Sequence, residues 1–471
     1  MIKFGTSGFR AIIGDEWTKE NIQKIGFAFR QIIEASGKQV RIVIGYDNRF
    51  MGKEFAQWFC EAACCDSVKA TFLAVPVTHP LVAFKTKIFD YGVMITASHN
   101  PYIYNGIKFI LKGGKDADDD FCEQLTKTID VLKSYRPSKF GEIVKSCIVT
   151  VVKDTDDYVD KILSLIDAKK IKKSGIRVLF DPMHGSSTSI VKRLFDSIGI
   201  RYTMINYNAD PYFGERMPSP YPYNITDTAK AVVQGKYSFG FCLDGDGDRV
   251  AFIDNDGKIY DCNYLAAAFF YYFVEIKKRK GGLIKSVVTS NLAAKLCKKY
   301  DRDLFETRVG FKFLGKQLES SNALLAAEPG GIGFKDISLT KDGIASALLL
   351  MDLMADTGKS IGALIKHIAK ITNFPSECLE YAYPFDASRR DEIIKKLTGS
   401  AVPDFEQQIV KRENYPDGYR VLFSGDYWCA TRVSGTENVI RLMTEMPDNK
   451  TCNNVIKKLE QYYGLTERQG Q

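Results

Sequence analysis

Short apolar runs rich in Val, Ile and Phe recur along this chain. Each ends in a polar or Gly-rich loop and is followed by a stretch of helical period, which restricts the chain to an α/β fold. Arg41–Asp47 reads as a strand, with a helix from about Lys53 to Cys65. Gly92–Thr96 is a strand that ends at Ala97-Ser98-His99-Asn100-Pro101. Arg177–Asp181 is another, followed by a helix over Thr188–Ile198. Ser286–Thr289 and Ala323–Ala327 add two more strands, and a helix follows the second from about Gly343 to Ala355. The pattern predicts mostly parallel strands, and in such sheets chemistry gathers at the carboxyl ends of strands.

At 471 residues the chain is too long for one core, so two to four domains are expected. Breaks are expected near 145–155, 255–260 and 370–376, which divides the chain into 1–150, 151–256, 257–372 and 373–471. A net charge of +8 is modest for this length and suits an anionic small substrate. No Lys/Arg block is dense enough to argue for nucleic acid. The longest apolar run, Leu265–Val274, is half what a bilayer span needs and reads as a buried helix, so no membrane role is expected. The eleven cysteines form no CxxC pair, and Met1-Ile2-Lys3-Phe4-Gly5 has no apolar leader core. Both point to a cytoplasmic protein with reduced thiols.

The chemistry concentrates in three loops. Asp244-Gly245-Asp246-Gly247-Asp248-Arg249 follows the apolar run Phe239–Leu243. Three anions this close repel one another unless a cation collects them, and hard carboxylate oxygens suit Mg²⁺. The glycines permit the curvature that turns alternate side chains toward one point. A solvated acidic turn is the other reading of the segment. Thr96–Pro101 sets the hydroxyl of Ser98 on a tight turn, and a capping turn is the alternative there. Adjacency of Ser98 and His99 does not make a catalytic dyad, because neighbouring side chains often point apart. Lys108, ten residues on from Ser98, offers a base if burial or nearby cations lower its pKa; otherwise it is a surface strand lysine. Arg432-Val433-Ser434-Gly435-Thr436-Glu437 joins a cation, hydroxyls and a Gly turn, which is what a phosphate monoester needs, with a plain polar turn as the other reading.

Together these segments resemble the α-D-phosphohexomutase superfamily, the phosphoglucomutases and phosphomannomutases. Phe4–Arg10 resembles its N-terminal signature, Thr96–Pro101 its phosphoserine loop, Asp244–Arg249 its metal loop and Arg432–Glu437 its phosphate loop, all in family order. The resemblance implies four domains round a central cleft: three related mixed α/β domains and a C-terminal α+β domain. It implies that Ser98 carries the phosphoryl group and that Ser98, Asp244, Asp246 and Asp248 hold Mg²⁺. Lys108 takes the place of the proposed general base, with Arg10, His99 and Arg249 completing the catalytic set. Arg432, Ser434, Gly435 and Thr436 would hold the phosphate that is not transferred. The implied substrates are hexose phosphates, glucose first, with a hexose 1,6-bisphosphate as intermediate and activator, in a monomer or homodimer.

One loop departs from the family pattern Gly-Glu-x-Ser-Gly that reads sugar hydroxyls. Here the segment is Ala326-Ala327-Glu328-Pro329-Gly330-Gly331. One alignment puts Ala327 at the Glu position and Pro329 at the Ser position; a one-residue slide gives Glu328 and Gly330. The serine is missing in both. Glu328, Gly330 and Lys341 are the expected sugar contacts, with weakened discrimination among hexoses. Phosphomannomutase, bisphosphate-forming phosphotransferase and low-activity sugar-phosphate binder stand as alternatives.

Overall fold

The computed structural model describes residues 2, 4, 8–153, 155–434 and 438–468. It divides into two compact units. One comprises 1–261, 315–320 and 330–360, and the other 262–314, 321–329 and 361–471.

The first unit holds two sheets. The larger has the strand order Phe9–Ile12, Tyr104–Leu111, Tyr91–Ile95, Val40–Tyr46, Val68–Leu73, Val149–Val152, with Lys115–Asp116 paired beside Tyr104–Leu111. The strands from Tyr91 to Val152 run parallel in this order, while the two contributed by Phe9–Ile12 and Tyr104–Leu111 are antiparallel additions. The β-branched and aromatic residues Ile42, Ile44, Phe72, Val93 and Ile95 are buried in it. Helix Lys19–Ala35 is capped by Thr18, whose side chain accepts from the Asn21 amide, and it lays Ile22, Ile25, Phe29 and Ile33 on the core at helical spacing. Burying a side chain such as Phe29 stabilises the fold by roughly 1.5–3 kcal/mol, and truncating it to Ala would cost about 3–5 kcal/mol.

The second sheet of this unit has the order Ile259–Tyr260, Val250–Asp254, Phe239–Leu243, Arg177–Asp181, Arg201–Met204. Phe239–Leu243 is parallel to Arg177–Asp181 but antiparallel to Val250–Asp254, so the acidic loop is a hairpin closed by the pair Leu243 and Val250.

In the second unit, Leu304–Thr307, Leu283–Ser286 and Leu325–Glu328 form parallel neighbours. A five-stranded antiparallel sheet follows, ordered Glu377–Pro384, Val439–Met446, Trp428–Val433, Gly418–Phe423, Ile409–Tyr415, with helix Asn449–Tyr463 packed on it. Residues 262–271 form the buried helix expected there, continued by a wider turn over Tyr272–Ile276. No described helix is long and apolar enough to cross a membrane.

One expected strand is displaced. It lies over Leu283–Ser286, not over 286–289. Lys285 sits within it, a cation inside a largely apolar run. It is buried all the same, because its ammonium donates to the Ser286 and Thr289 carbonyls and pairs with Glu306 at 3.0 Å. A buried cation is tolerated when its donors are taken up.

Candidate active site

The register of the larger sheet builds the site. Tyr46 pairs with Ile95 in parallel strands, so the loops that follow start side by side. Asp47 opens one and Thr96 the other, and the Thr96 hydroxyl donates to Asp47 Oδ2 at 2.6 Å. Two residues on, Ser98 takes φ of +52°, the left-handed region that a residue with a Cβ seldom adopts. The turn is held locally by its own amides. The Ser98 amide donates to Thr96 Oγ1 at 2.8 Å, and the Asn100 amide to the Ala97 carbonyl at 3.0 Å.

That backbone puts the buried Ser98 hydroxyl 2.7 Å from Asp244 Oδ2, to which it donates. It bonds this carboxylate, with His99 beyond it in the loop and only partly buried. The acidic hairpin approaches closely because position 245 has no side chain: a Cβ there would lie 2.7 Å from the Ser98 carbonyl oxygen. Gly247 takes φ of +73° and completes the turn.

Asp244, Asp246 and Asp248 are all buried and can each place a carboxylate oxygen within 4.8 Å of the others. Burial, and then the charges of Asp246 and Asp248, push the Asp244 carboxyl well above its usual range. Burial is the largest influence on Asp246 and opposes its charge, but the charge and hydrogen bond of Lys108 together with His79 hold that carboxyl below its usual range. Asp246 Oδ1 and Asp248 Oδ1 are buried with no hydrogen-bond partner. Crowded, unsatisfied carboxylate oxygens beside a hydroxyl fit a hard divalent cation such as Mg²⁺.

Lys108 is neither a surface residue nor a lysine of lowered pKa. Its ammonium lies 2.7 Å from Asp246 Oδ2 and 3.0 Å from Asp248 Oδ2. Burial alone would depress it, but the two carboxylates prevail and raise its pKa. Arg10 donates to Asn100 Oδ1 at 2.7 Å, and the Arg249 amide to Asp244 Oδ1 at 3.1 Å. Arg10, Ser98, Lys108, Asp248, Arg249 and Lys341 line one cavity. Lys341 reaches to 3.8 Å from Asp248 Oδ1, with its stem across Gly331, where a Cβ would lie 2.6 Å from Lys341 Cδ.

Four residues that the sequence did not single out join this constellation. His79 is buried, with Nδ1 3.7 Å from Asp248 and Nε2 3.4 Å from Asp116, and its amide donates to the Asp246 carbonyl at 2.9 Å. Asp47 and Arg49 lie beneath the Ser98 turn. No local signal marks any of them. Asp47 and Arg49 stand about 50 residues from the serine turn they support, and His79 stands 37 residues from Asp116 and more than 160 from the acidic hairpin.

In the second unit, Glu328 ends the strand Leu325–Glu328 and its Oε2 accepts from the Gly310 amide at 3.2 Å. Ala327 is fully buried within the same strand. Arg432 is the last residue but one of Trp428–Val433 and pairs with Asp417, its Nε 2.9 Å from Oδ2. The Ser434 amide bonds the Val439 carbonyl at 2.9 Å, and Arg390 donates to both the Ser434 carbonyl and Asn438 Oδ1 at about 3 Å. Gly435 and Thr436, like Gly5, Thr6 and Ser7 of the N-terminal signature, lie outside the described residues.

A serine on a strained turn against a buried carboxylate trio, with a lysine and two arginines at one cavity, is the equipment of a phosphoryl-transfer enzyme. Comparison with known proteins carries this further. Phosphoglucomutase/phosphomannomutase, alpha/beta/alpha domain I matches residues 1–136, domain II 156–257 and domain III 261–371, and the family's C-terminal domain matches 385–461. The chain belongs to the phosphoglucomutase/phosphomannomutase family, the α-D-phosphohexomutases, and is an intramolecular phosphotransferase with that family's four domains. It is 30% identical to a phosphoglucosamine/phosphogalactosamine mutase of Sulfurisphaera tokodaii, over 97% of this chain and 98% of that one. It is 27% identical to a phosphoglucomutase/phosphomannomutase of Thermococcus kodakarensis over 94% of both. Among solved structures, parafusin, a phosphoglucomutase of Paramecium, superposes with a TM-score of 0.81 at 20% identity, covering 99% of this chain and 96% of that one. A family protein of Burkholderia thailandensis gives 0.80 at 22% identity over 97% and 96%.

Proposed function

We propose that this enzyme interconverts hexose 1-phosphate and hexose 6-phosphate, with glucose as the hexose, through a phosphoserine at Ser98 and a hexose 1,6-bisphosphate. The observation that carries the proposal is the Ser98 hydroxyl, on its left-handed turn, 2.7 Å from the first of three clustered aspartates. In the first half-reaction the bond from phosphorus to Ser98 Oγ breaks as one forms to the sugar hydroxyl oxygen, whose proton passes to Lys108, and the departing Ser98 Oγ takes a proton from the Lys108 ammonium to end as a hydroxyl. After the bisphosphate turns round, the other phosphoryl group returns to Ser98. Asp244, Asp246 and Asp248, with a phosphoserine oxygen, would hold Mg²⁺, which supplies neutralisation of charge on the transferring group. With those carboxylates neutralised, Lys108 loses the partners that keep it protonated and can act as the base. Arg10 and Arg249, at the same cavity, stabilise the phosphoryl oxygens.

In the same reading the four domains divide at 1–150, 151–256, 257–372 and 373–471, and carry the serine loop, metal loop, sugar contacts and phosphate loop in turn. Arg432 with Ser434, Gly435 and Thr436 grips the phosphate that stays. Glu328, Gly330 and Lys341 face the sugar. The strand-end carboxylate on Glu328 favours the alignment that keeps the glutamate and leaves Gly330 where the family has serine. A hexose 1,6-bisphosphate would rephosphorylate Ser98 when the intermediate escapes.

A second reading concerns the sugar alone. Relatives at 28–30% identity are named phosphoglucosamine mutases, and a carboxylate such as that of Glu328 can meet a 2-ammonium group as readily as a hydroxyl. A panel of glucose, mannose and glucosamine 1- and 6-phosphates, with and without added bisphosphate, separates the two. Ser98→Ala tests the core of both. It should abolish turnover on every sugar and remove the protein species heavier by one phosphate in intact-mass spectra. Turnover near the parent rate would take Ser98 out of the mechanism.

A further inference from the structure

We propose that Arg49 is a positioning residue that clamps the backbone of the Ser98 turn and so holds the phosphoryl-accepting hydroxyl against the aspartate cluster. The inference rests on Ser98 being the phosphoryl carrier and adds the device that holds it.

Arg49 is 3% exposed, and its guanidinium spends its donors on backbone carbonyls of a single loop. Nη2 donates to the Ser98 and Asn100 carbonyls, each at 2.7 Å, and Nη1 to those of Pro101 and Tyr104, each at 2.9 Å. Four acceptors spread over seven residues are thereby satisfied by one planar fork. Arg49 is itself held by two neighbours, Asp47 and Phe213. Its Nε faces Asp47 Oδ2 at 3.4 Å, its amide donates to Asp47 Oδ1 at 3.1 Å, and its guanidinium carbon lies 4.9 Å from the Phe213 ring centre. Asp47 also takes the hydroxyl of Thr96, which in turn accepts the Ser98 amide, so carboxylate, threonine and arginine grip the turn from both ends.

A turn with φ of +52° at a non-glycine residue is not kept by its own preference. The carbonyl of Ser98 is one of the four that Arg49 holds, and it is also the atom against which Gly245 of the acidic hairpin packs. Releasing it frees the turn to relax and swings Oγ from the cluster. A lysine keeps the charge, but as a point donor on a flexible stem it cannot reach carbonyls on two edges of a fork.

The experiment uses the full chain with Arg49→Lys and Arg49→Ala, on whichever sugar phosphate the parent accepts. Both variants should melt cooperatively. Amides within 97–104 should exchange with deuterium at least about tenfold faster than in the parent, while helix Gly343–Thr357 stays unchanged. The kcat should fall about a hundredfold or more with KM within about threefold, as expected for a misplaced reacting atom. Guanidinium ion at millimolar concentration should restore part of the Arg49→Ala kcat. Unchanged exchange in 97–104, or KM and kcat altered alike, would overturn the clamp. Failure of both variants to fold would do so too, by making Arg49 a residue of stability. The two levels are separable. Parent-like turnover by Ser98→Ala removes the carrier role whatever the exchange shows, whereas a dead Ser98→Ala with unchanged loop exchange in Arg49→Lys removes the clamp alone.

Discussion

Gly245→Ala tests whether the acidic hairpin must seat directly on the serine turn. The added Cβ would lie 2.7 Å from the Ser98 carbonyl oxygen, with Phe213 Cε1 and Pro218 Cγ each at 3.5 Å behind it. The first contact is with backbone, so no side chain can swing aside. Ordinary van der Waals contact begins at 3.4 Å, so hairpin and turn must part by about 0.7 Å. Gly245 does not need positive φ, so the whole effect is steric. Overpacking of this kind costs typically 1–3 kcal/mol of stability. A displacement approaching 1 Å between reacting groups costs up to about a hundredfold in rate, or roughly 2.7 kcal/mol of barrier. The expected result is a folded protein, melting a few degrees lower, with kcat down ten- to a hundredfold and phosphorylation of Ser98 by a hexose bisphosphate slowed by the same factor. Calorimetry and a coupled mutase assay measure the two terms. A variant with parent kcat and an unshifted melt would show that the two loops need not touch, and the seating argument would fall.

Asp246→Asn removes one charge from the trio and one of two carboxylates on Lys108. It should raise the Mg²⁺ concentration needed for half-maximal rate and slow turnover by about two orders of magnitude or more, and full parent activity in excess chelator would refute the metal assignment. Arg432→Ala should raise KM for the sugar phosphate ten- to a hundredfold, the loss of one charge-assisted bond at roughly 1.5–3 kcal/mol, with little change in Mg²⁺ dependence; an unchanged KM would place the phosphate elsewhere. Tyr158→Phe removes the hydroxyl that donates to both Asp342 oxygens, at 2.9 and 2.8 Å. Burial has raised the Asp342 carboxyl to about 6, against the amide of Ala345 and Tyr158, which favour its charged form. A raised folded pKa means stability is lost as pH rises through that value, and losing a donor raises it further. The variant should therefore cost about 1–3 kcal/mol at pH 8 and clearly less at pH 5, measured by denaturant unfolding; an equal loss at both would sever the link to Asp342.

The sequence by itself determined the parts whose chemistry fits inside a few consecutive residues. Asp244 to Arg249 is legible as a cation loop because three like charges alternate with two glycines in one hairpin. The serine turn is legible because Pro101 and the preceding apolar strand leave it little else to be, and the strand Arg177–Asp181 and helix Thr188–Ile198 fall where period and turn residues put them. The tertiary structure alone decided what stands around those loops. Lys108 could be a surface lysine until sheet order brings it to Asp246, 138 residues away. Arg49 belongs to the serine turn only because Val40–Tyr46 and Tyr91–Ile95 lie parallel and in register. His79 reaches Asp248 from another element of the first unit and faces Asp116 with its other ring nitrogen. Lys285 breaks an apolar pattern, yet is buried because carbonyls and Glu306 accept its charge. The physical reason is common to all of these. Backbone preference and short-range repulsion act between chain neighbours and so are written locally. Whether a charge is buried, paired or free depends on what the sheet sets beside it, and the partners that decide it here, Asp246 for Lys108, the Ser98 carbonyl for Arg49 and Glu306 for Lys285, lie outside any short window of the sequence.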